Sequence, residues 1–134
     1  MIKERYCSFE VAKLLKEKGF NYEVRTYYQF DSETKETELI HDDRLDTPNL
    51  WSGDYYSAPT HQMAMDWLRE IHNKHCDINY DIDLDWFFQI MDLKETVEYD
   101  YPETKYYHTE NETGFNTYED AVESALKYCL TELI

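Results

Sequence analysis

Residues 76–91 read Cys76-Asp77-Ile78-Asn79-Tyr80-Asp81-Ile82-Asp83-Leu84-Asp85-Trp86-Phe87-Phe88-Gln89-Ile90-Met91. Every even position from Cys76 to Ile90 is apolar, and the odd positions from 77 to 85 are all Asp or Asn. Side chains alternate faces along a strand, so a period of two predicts β-structure with one dry and one wet face. A strand is usually about 5–6 residues long. Two strands with a turn near Asp83–Asp85 therefore fit better than one. On this reading all the even side chains point inward and the carboxylates point to water.

The neighbouring segments change period. Ser8 to Lys18 predicts a helix capped by Ser8, with Val11, Ala12, Leu14 and Leu15 on one face. Gly19 falls where a left-handed residue ends a helix, and Phe20 can fold back onto Leu15. Tyr22 to Phe30 alternates as a strand, Asp31 to Lys35 reads as a turn, and Thr37 to His41 as a short return strand. Asp42 to Pro59 reads as a long loop whose rings, Trp51, Tyr55 and Tyr56, would pack it down. Thr60 to Asn73 predicts a helix with a stripe of Met63, Ala64, Trp67, Leu68 and Ile71. Thr96–Tyr101 and Lys105–Thr109 offer further strands, and Gly114 ends the sheet region. Thr117 caps a last helix from Tyr118 to about Leu133, lined by Val122, Leu126, Cys129, Leu130 and Leu133. Its Ala121 and Ala125 flatten that face for close packing on a sheet.

Strands joined by turns rather than by crossover helices predict an α+β fold. An antiparallel sheet with about three helices packed mainly on one face is expected, as a single domain over residues 1–134. The second half alone, helix, three strands, helix, has the element order of a double-stranded-RNA-binding domain. Its charge is wrong for that function, so the likeness is one of topology.

The net charge is −16, and it is lopsided. Residues 76–134 hold fifteen acids against three Lys, whereas residues 1–75 hold fourteen acids against ten bases. Such a surface repels nucleic-acid phosphates and anionic lipid and attracts cations and basic proteins. With thirteen Tyr, six Phe and three Trp the chain is too aromatic for a disordered one. Three widely spaced cysteines, Cys7, Cys76 and Cys129, argue against a disulfide framework and for a reducing cytoplasm. No apolar run follows Met1–Tyr6, so no secretory signal is expected there, and no stretch is long and apolar enough to span a membrane.

Four constellations bear on chemistry. His61, His72, His75 and Cys76 lie close in sequence, and His72, His75 and Cys76 could supply N and S ligands to Zn²⁺. Their spacing matches no standard zinc pattern, and the plainer reading is a helix end followed by a core cysteine. Asp81-x-Asp83-x-Asp85 with Asp92 has some spacing of a calcium loop, but Trp86 stands where that loop needs Gly. Asp77, Asp81, Asp83 and Asp85, joined by Glu95, Glu98 and Asp100, could instead form a negative row that imitates a phosphate backbone. The bland alternative is a solvated face that keeps the protein soluble. Tyr27-Tyr28, Tyr55-Tyr56 and Tyr106-Tyr107 would each place one ring outward on a strand, where Tyr commonly makes protein contacts. No local catalytic motif is present, and three glycines leave no nucleotide-binding loop.

Three blocks are familiar in combination: Ser8 to Phe20; Ala58-Pro59-Thr60 with Trp67 to His72; and Tyr118 to Ala121 with Leu126 and Leu130. In this order they resemble a family of small uncharacterised proteins of Bacteroidetes genomes, their phages and prophages. The resemblance implies a cytoplasmic bacterial or phage protein and assigns no activity. The resulting expectation is a non-enzymatic, acidic protein-interaction or accessory protein without cofactor. Its partner would be a protein with a basic surface, engaged through Asp77, Asp81, Asp83 and Asp85. One alternative is a metal-binding protein or enzyme using His72, His75 and Cys76. A second is a nucleic-acid-associated protein using Lys13, Lys16 and Lys18, whose charge Glu10 and Glu17 offset.

Overall fold

The computed structural model describes residues 4–93, 105–107 and 113–134. The strand expected at Thr96–Tyr101 lies outside them, as do Glu95, Glu98 and Asp100 and the end of the strand expected to Thr109. The fold is α+β and every strand pairing is antiparallel. The strands form two sheets, and the chain divides into two compact units, Met1–Ala64 and Met65–Ile134.

In the first unit α1 (Phe9–Glu17) starts as its sequence directs. The Val11 N–H donates to Ser8 Oγ at 3.2 Å. It also ends as expected: Gly19 takes φ +86°, and the Phe20 N–H donates to the Leu15 carbonyl at 2.9 Å. Strands β1 (Val24–Phe30), β2 (Thr37–Asp46) and β3 (Tyr55–Ser57) form a sheet of order β2-β1-β3. Strand β2 runs five residues past the expected His41. A 3-10 turn (Pro48–Leu50) and β3 lie within the rest of the stretch expected to be a loop. What orders this stretch is one side chain. Asn49 donates from Nδ2 to the Phe20 carbonyl at 2.9 Å, its Oδ1 accepts the Ser57 N–H at 2.8 Å, and its own N–H donates to Ser57 Oγ at 3.2 Å. Each of these bonds reaches across the sequence, so no local pattern announces them.

The rings of the first sheet sort by strand parity. Tyr28 and its cross-strand partner Tyr56 meet Phe9 of α1 at 5.6 and 5.1 Å between ring centroids. Tyr27 and Tyr55 lie on the opposite face and close against Trp51 at 5.0 and 5.4 Å. One face is thus covered by a helix; on the other, Trp51 of the segment that Asn49 fastens shields Tyr27 and Tyr55, while Arg25, Gln29 and Glu38 stay exposed. Lys16 of α1 adds a tie to β3, donating from Nζ to the Tyr55 carbonyl at 2.7 Å with its ammonium 4.6 Å from the Tyr56 ring centre.

Helix α2 (His61–His72) is capped by Thr60, whose Oγ1 accepts the Met63 N–H at 3.2 Å. Its stripe is buried at Ala64, Trp67 and Leu68, but Ile71, expected inside, is exposed near the helix end.

In the second unit β4 (Lys74–Asp81), β5 (Asp85–Asp92) and β6 (Lys105–Tyr107) form a sheet in that order. The two long strands pair from Lys74↔Asp92 through Cys76↔Ile90 to Asp81↔Asp85, across a turn at residues 82–84. This is the hairpin that residues 76–91 predict. Helix α3 (Tyr118–Tyr128) starts at Thr117, whose Oγ1 accepts the Asp120 N–H at 3.0 Å, and runs into a π turn (Cys129–Leu133). It packs on β4 and β5 through Ala121, Val122, Ala125, Leu126, Cys129 and Leu130, all fully buried, against Cys76, Phe88 and Ile90. At the base of the hairpin, Lys74 Nζ meets Asp92 Oδ2 at 2.8 Å, with both side chains nearly buried. A pair this dry contributes little net stability as a pair, but either charge left alone there would be costly.

Candidate functional site

The register of β4 and β5 decides what each face carries. Even positions turn toward α3; odd positions, His75, Asp77, Asn79 and Asp81 on β4 with Asp85, Phe87, Gln89 and Met91 on β5, turn the other way. Asp81 and Asp85 are exposed and the other six are half-buried, so this face opens fully to solvent only at the turn. Asp81 and Asp85 are direct cross-strand partners and Asp83 sits in the turn between them, so three carboxylates gather at the hairpin end. Asp77 lies four residues back, roughly 13 Å away along the strand, with Asn79 between. The row expected from the sequence is therefore a cluster at the turn with one outlier.

The turn is built by these same residues. Asp81 Oδ1 accepts the Asp83 N–H at 2.8 Å, and the Asp81 carbonyl accepts the Leu84 N–H at 3.2 Å. Asp85 takes φ +57°, a left-handed conformation that Asp tolerates better than most residues. The acidic residues thus form the turn and also present its charge. Two carboxylates directly opposite each other are mildly destabilising in a sheet. The fold keeps them at the exposed tip, where water screens the repulsion.

The inward face departs from expectation at the same end. Cys76, Phe88 and Ile90 are buried, but Tyr80 is 58% exposed, Ile82 86% and Leu84 43%, and Trp86 is half-buried. The reason is where the helix starts: Tyr118, the first residue of α3, lies beside Trp86, so the turn beyond Trp86 has no helix over it. What remains there is a chain of ring contacts, Tyr80 to Trp86 at 5.3 Å and Trp86 to Tyr118 at 5.5 Å. The segment after β6 closes on the same end: Phe115 and Trp86 exchange backbone hydrogen bonds, and the Gly114 N–H donates to the Leu84 carbonyl at 2.8 Å.

The metal candidates are not brought together. His75 and Cys76 are adjacent on β4 and so point to opposite faces. His72 ends α2 with its ring 4.7 Å from that of Trp67. Burial pushes the Cys76 thiol far above its ordinary range, and nearby Cys129 adds to the rise. Cys129 is itself pushed up to about 12, chiefly by burial, with Lys74 drawing it slightly down. Thiols held protonated in this way are poor ligands and poor nucleophiles. Cys7, Cys76 and Cys129 are all buried, and none of them forms a disulfide. Among the described residues no group of three or more His, Cys, Asp or Glu is placed to hold a metal ion. Asp92, which would close a calcium loop begun at Asp81, faces inward and is tied to Lys74.

The outward rings of the first sheet offer no cation cage either. Tyr27, Trp51 and Tyr55 stand nearly perpendicular to one another, but with centroids 5.0–5.9 Å apart they fill their own space. Among the described residues no helix is long and apolar enough to cross a membrane. Comparisons with known protein families, with curated proteins and with solved structures give no match.

Proposed function

We propose that this is a non-enzymatic interaction protein whose acidic hairpin end docks on a basic protein surface. The observation that carries the reading is the gathering of Asp81, Asp83 and Asp85 at one exposed turn, with half-buried Asp77 on the same face as Asp81 and Asp85. Charge so placed steers association and selects partners by sign more than it adds affinity. The concentration of negative charge in residues 76–134 argues for a cationic protein and against a nucleic acid. The likeness of the three sequence blocks to proteins of Bacteroidetes, their phages and prophages is consistent with an accessory role in a bacterial cytoplasm.

The test begins with a partner captured by affinity purification from host cells and titrated with purified protein. Replacing Asp77, Asp81, Asp83 and Asp85 together by Lys should weaken binding at least about tenfold and flatten its dependence on salt. An unchanged affinity of the quadruple variant would overturn the proposal.

A further inference from the structure

The exposed apolar side chains at the hairpin end have no role in the core and no account in the charge. Ile82 and Leu84 flank Asp83 in the turn, and Tyr80, Trp86 and Tyr118 continue from them as a strip of touching rings. Solitary exposed apolar residues are ordinary, but a contiguous group rimmed by one sign of charge marks a contact surface. Three of the five are Tyr or Trp, residue types that dominate the energetics of protein contacts. The rim is acidic at both ends: Asp83 stands between Ile82 and Leu84 in the turn, with Asp81 and Asp85 at the same tip but on the other face of the hairpin, and Asp120 lies beyond Tyr118 at the start of α3.

We infer that this strip is the anchor of the interaction and that its occupant is a cationic peptide segment presenting an aliphatic or aromatic side chain between Lys or Arg residues. The inference rests on the acidic-docking reading and adds to it where the contact energy lies. Complementarity of charge selects this occupant over others. A second copy of a chain with net charge −16 would bring like charges together at the tip, and an anionic lipid surface would be repelled. A basic segment places its cations on the rim and its apolar side chain among Ile82, Leu84 and the rings. Charge then sets the rate of encounter, and the strip sets how long the complex lasts.

The test uses the full chain and two short synthetic peptides of equal positive charge, one alternating Lys with Trp and Leu, the other alternating Lys with Ser. Binding is read by fluorescence anisotropy at low and at physiological salt. Wild type should bind the Lys/Trp/Leu peptide roughly tenfold or more tightly than the Lys/Ser peptide. The Ile82→Ser/Leu84→Ser variant should lose that preference while keeping its weak, salt-sensitive binding of the Lys/Ser peptide. Both positions are exposed turn residues, so the variant should fold, and an unchanged circular dichroism spectrum and melting midpoint would verify it. A variant that keeps the full preference would overturn the anchor and leave acidic docking standing. Failure of wild type to bind either peptide at low salt would overturn both. Concentration-dependent dimerisation of wild type that the variant abolishes would overturn the peptide occupant in favour of a second copy.

Discussion

Each unit builds a three-stranded antiparallel sheet with a helix on one face, yet the two sheets place different residues on their other face. In the first, β1 and β3 turn Tyr27 and Tyr55 outward, and the segment carrying Trp51 folds over them. In the second, β4 and β5 turn Asp77, Asp81 and Asp85 to that face, which is half-buried along most of its length and exposed at the turn. A second sheet face becomes a small core or a surface according to the residues at alternate positions and to whether a nearby segment can be fastened across it. Asn49 fastens that segment in the first unit through three hydrogen bonds. In the second, three carboxylates at the turn would have to be dehydrated for any covering segment to dock.

The contrast can be probed from its strongest element downward. Phe88 is 2% exposed and touches the rings of Phe115 and Tyr128 on the helix-covered face of the second sheet. Phe88→Ala should cost about 3–5 kcal/mol in urea unfolding. A loss near 1 kcal/mol would mean that α3 does not seal that face.

Trp51→Ala tests whether the far face of the first sheet is a true second core. Loss of two edge-to-face contacts and of buried ring area should lower stability by about 2 kcal/mol. A change below about 0.5 kcal/mol would make the Tyr27–Trp51–Tyr55 group a surface ornament and would erase the difference between the sheets.

The smallest effect is expected at the acidic end of the second sheet. Asp77→Asn/Asp81→Asn/Asp85→Asn keeps the side-chain acceptor that holds the turn at Asp81 and removes the Asp81–Asp85 repulsion. The change in stability should be neutral to favourable, within about 1 kcal/mol, and larger at low salt. A loss beyond that, measured by the urea midpoint at low salt, would assign the carboxylates to holding the fold rather than to docking.

The sequence is most legible where the interactions are short-ranged. Ser8, Thr60 and Thr117 each cap the helix that follows them, and Gly19 with Phe20 closes the first helix, because a cap needs only three or four residues of context. The hairpin of residues 76–91 is legible for the same reason, since its alternation sets both the strands and the register. The Asp42–Pro59 stretch defeats such a reading because Asn49 finds its partners at Phe20 and Ser57, and the Pro48 turn follows from those bonds. The site was half legible. The carboxylates can be named from the chain, but the same alternation places Tyr80, Ile82 and Leu84 in the core, because it tells which side a residue takes and not whether anything covers that side.

Local order alone thus settled the helices with their ends, the antiparallel hairpin and the excess of negative charge on the second half, since each depends on neighbours a few residues apart. Three-dimensional packing decided which faces were sealed. The last helix begins beside Trp86 and does not reach the turn, which left rings, aliphatic side chains and carboxylates together at one exposed tip.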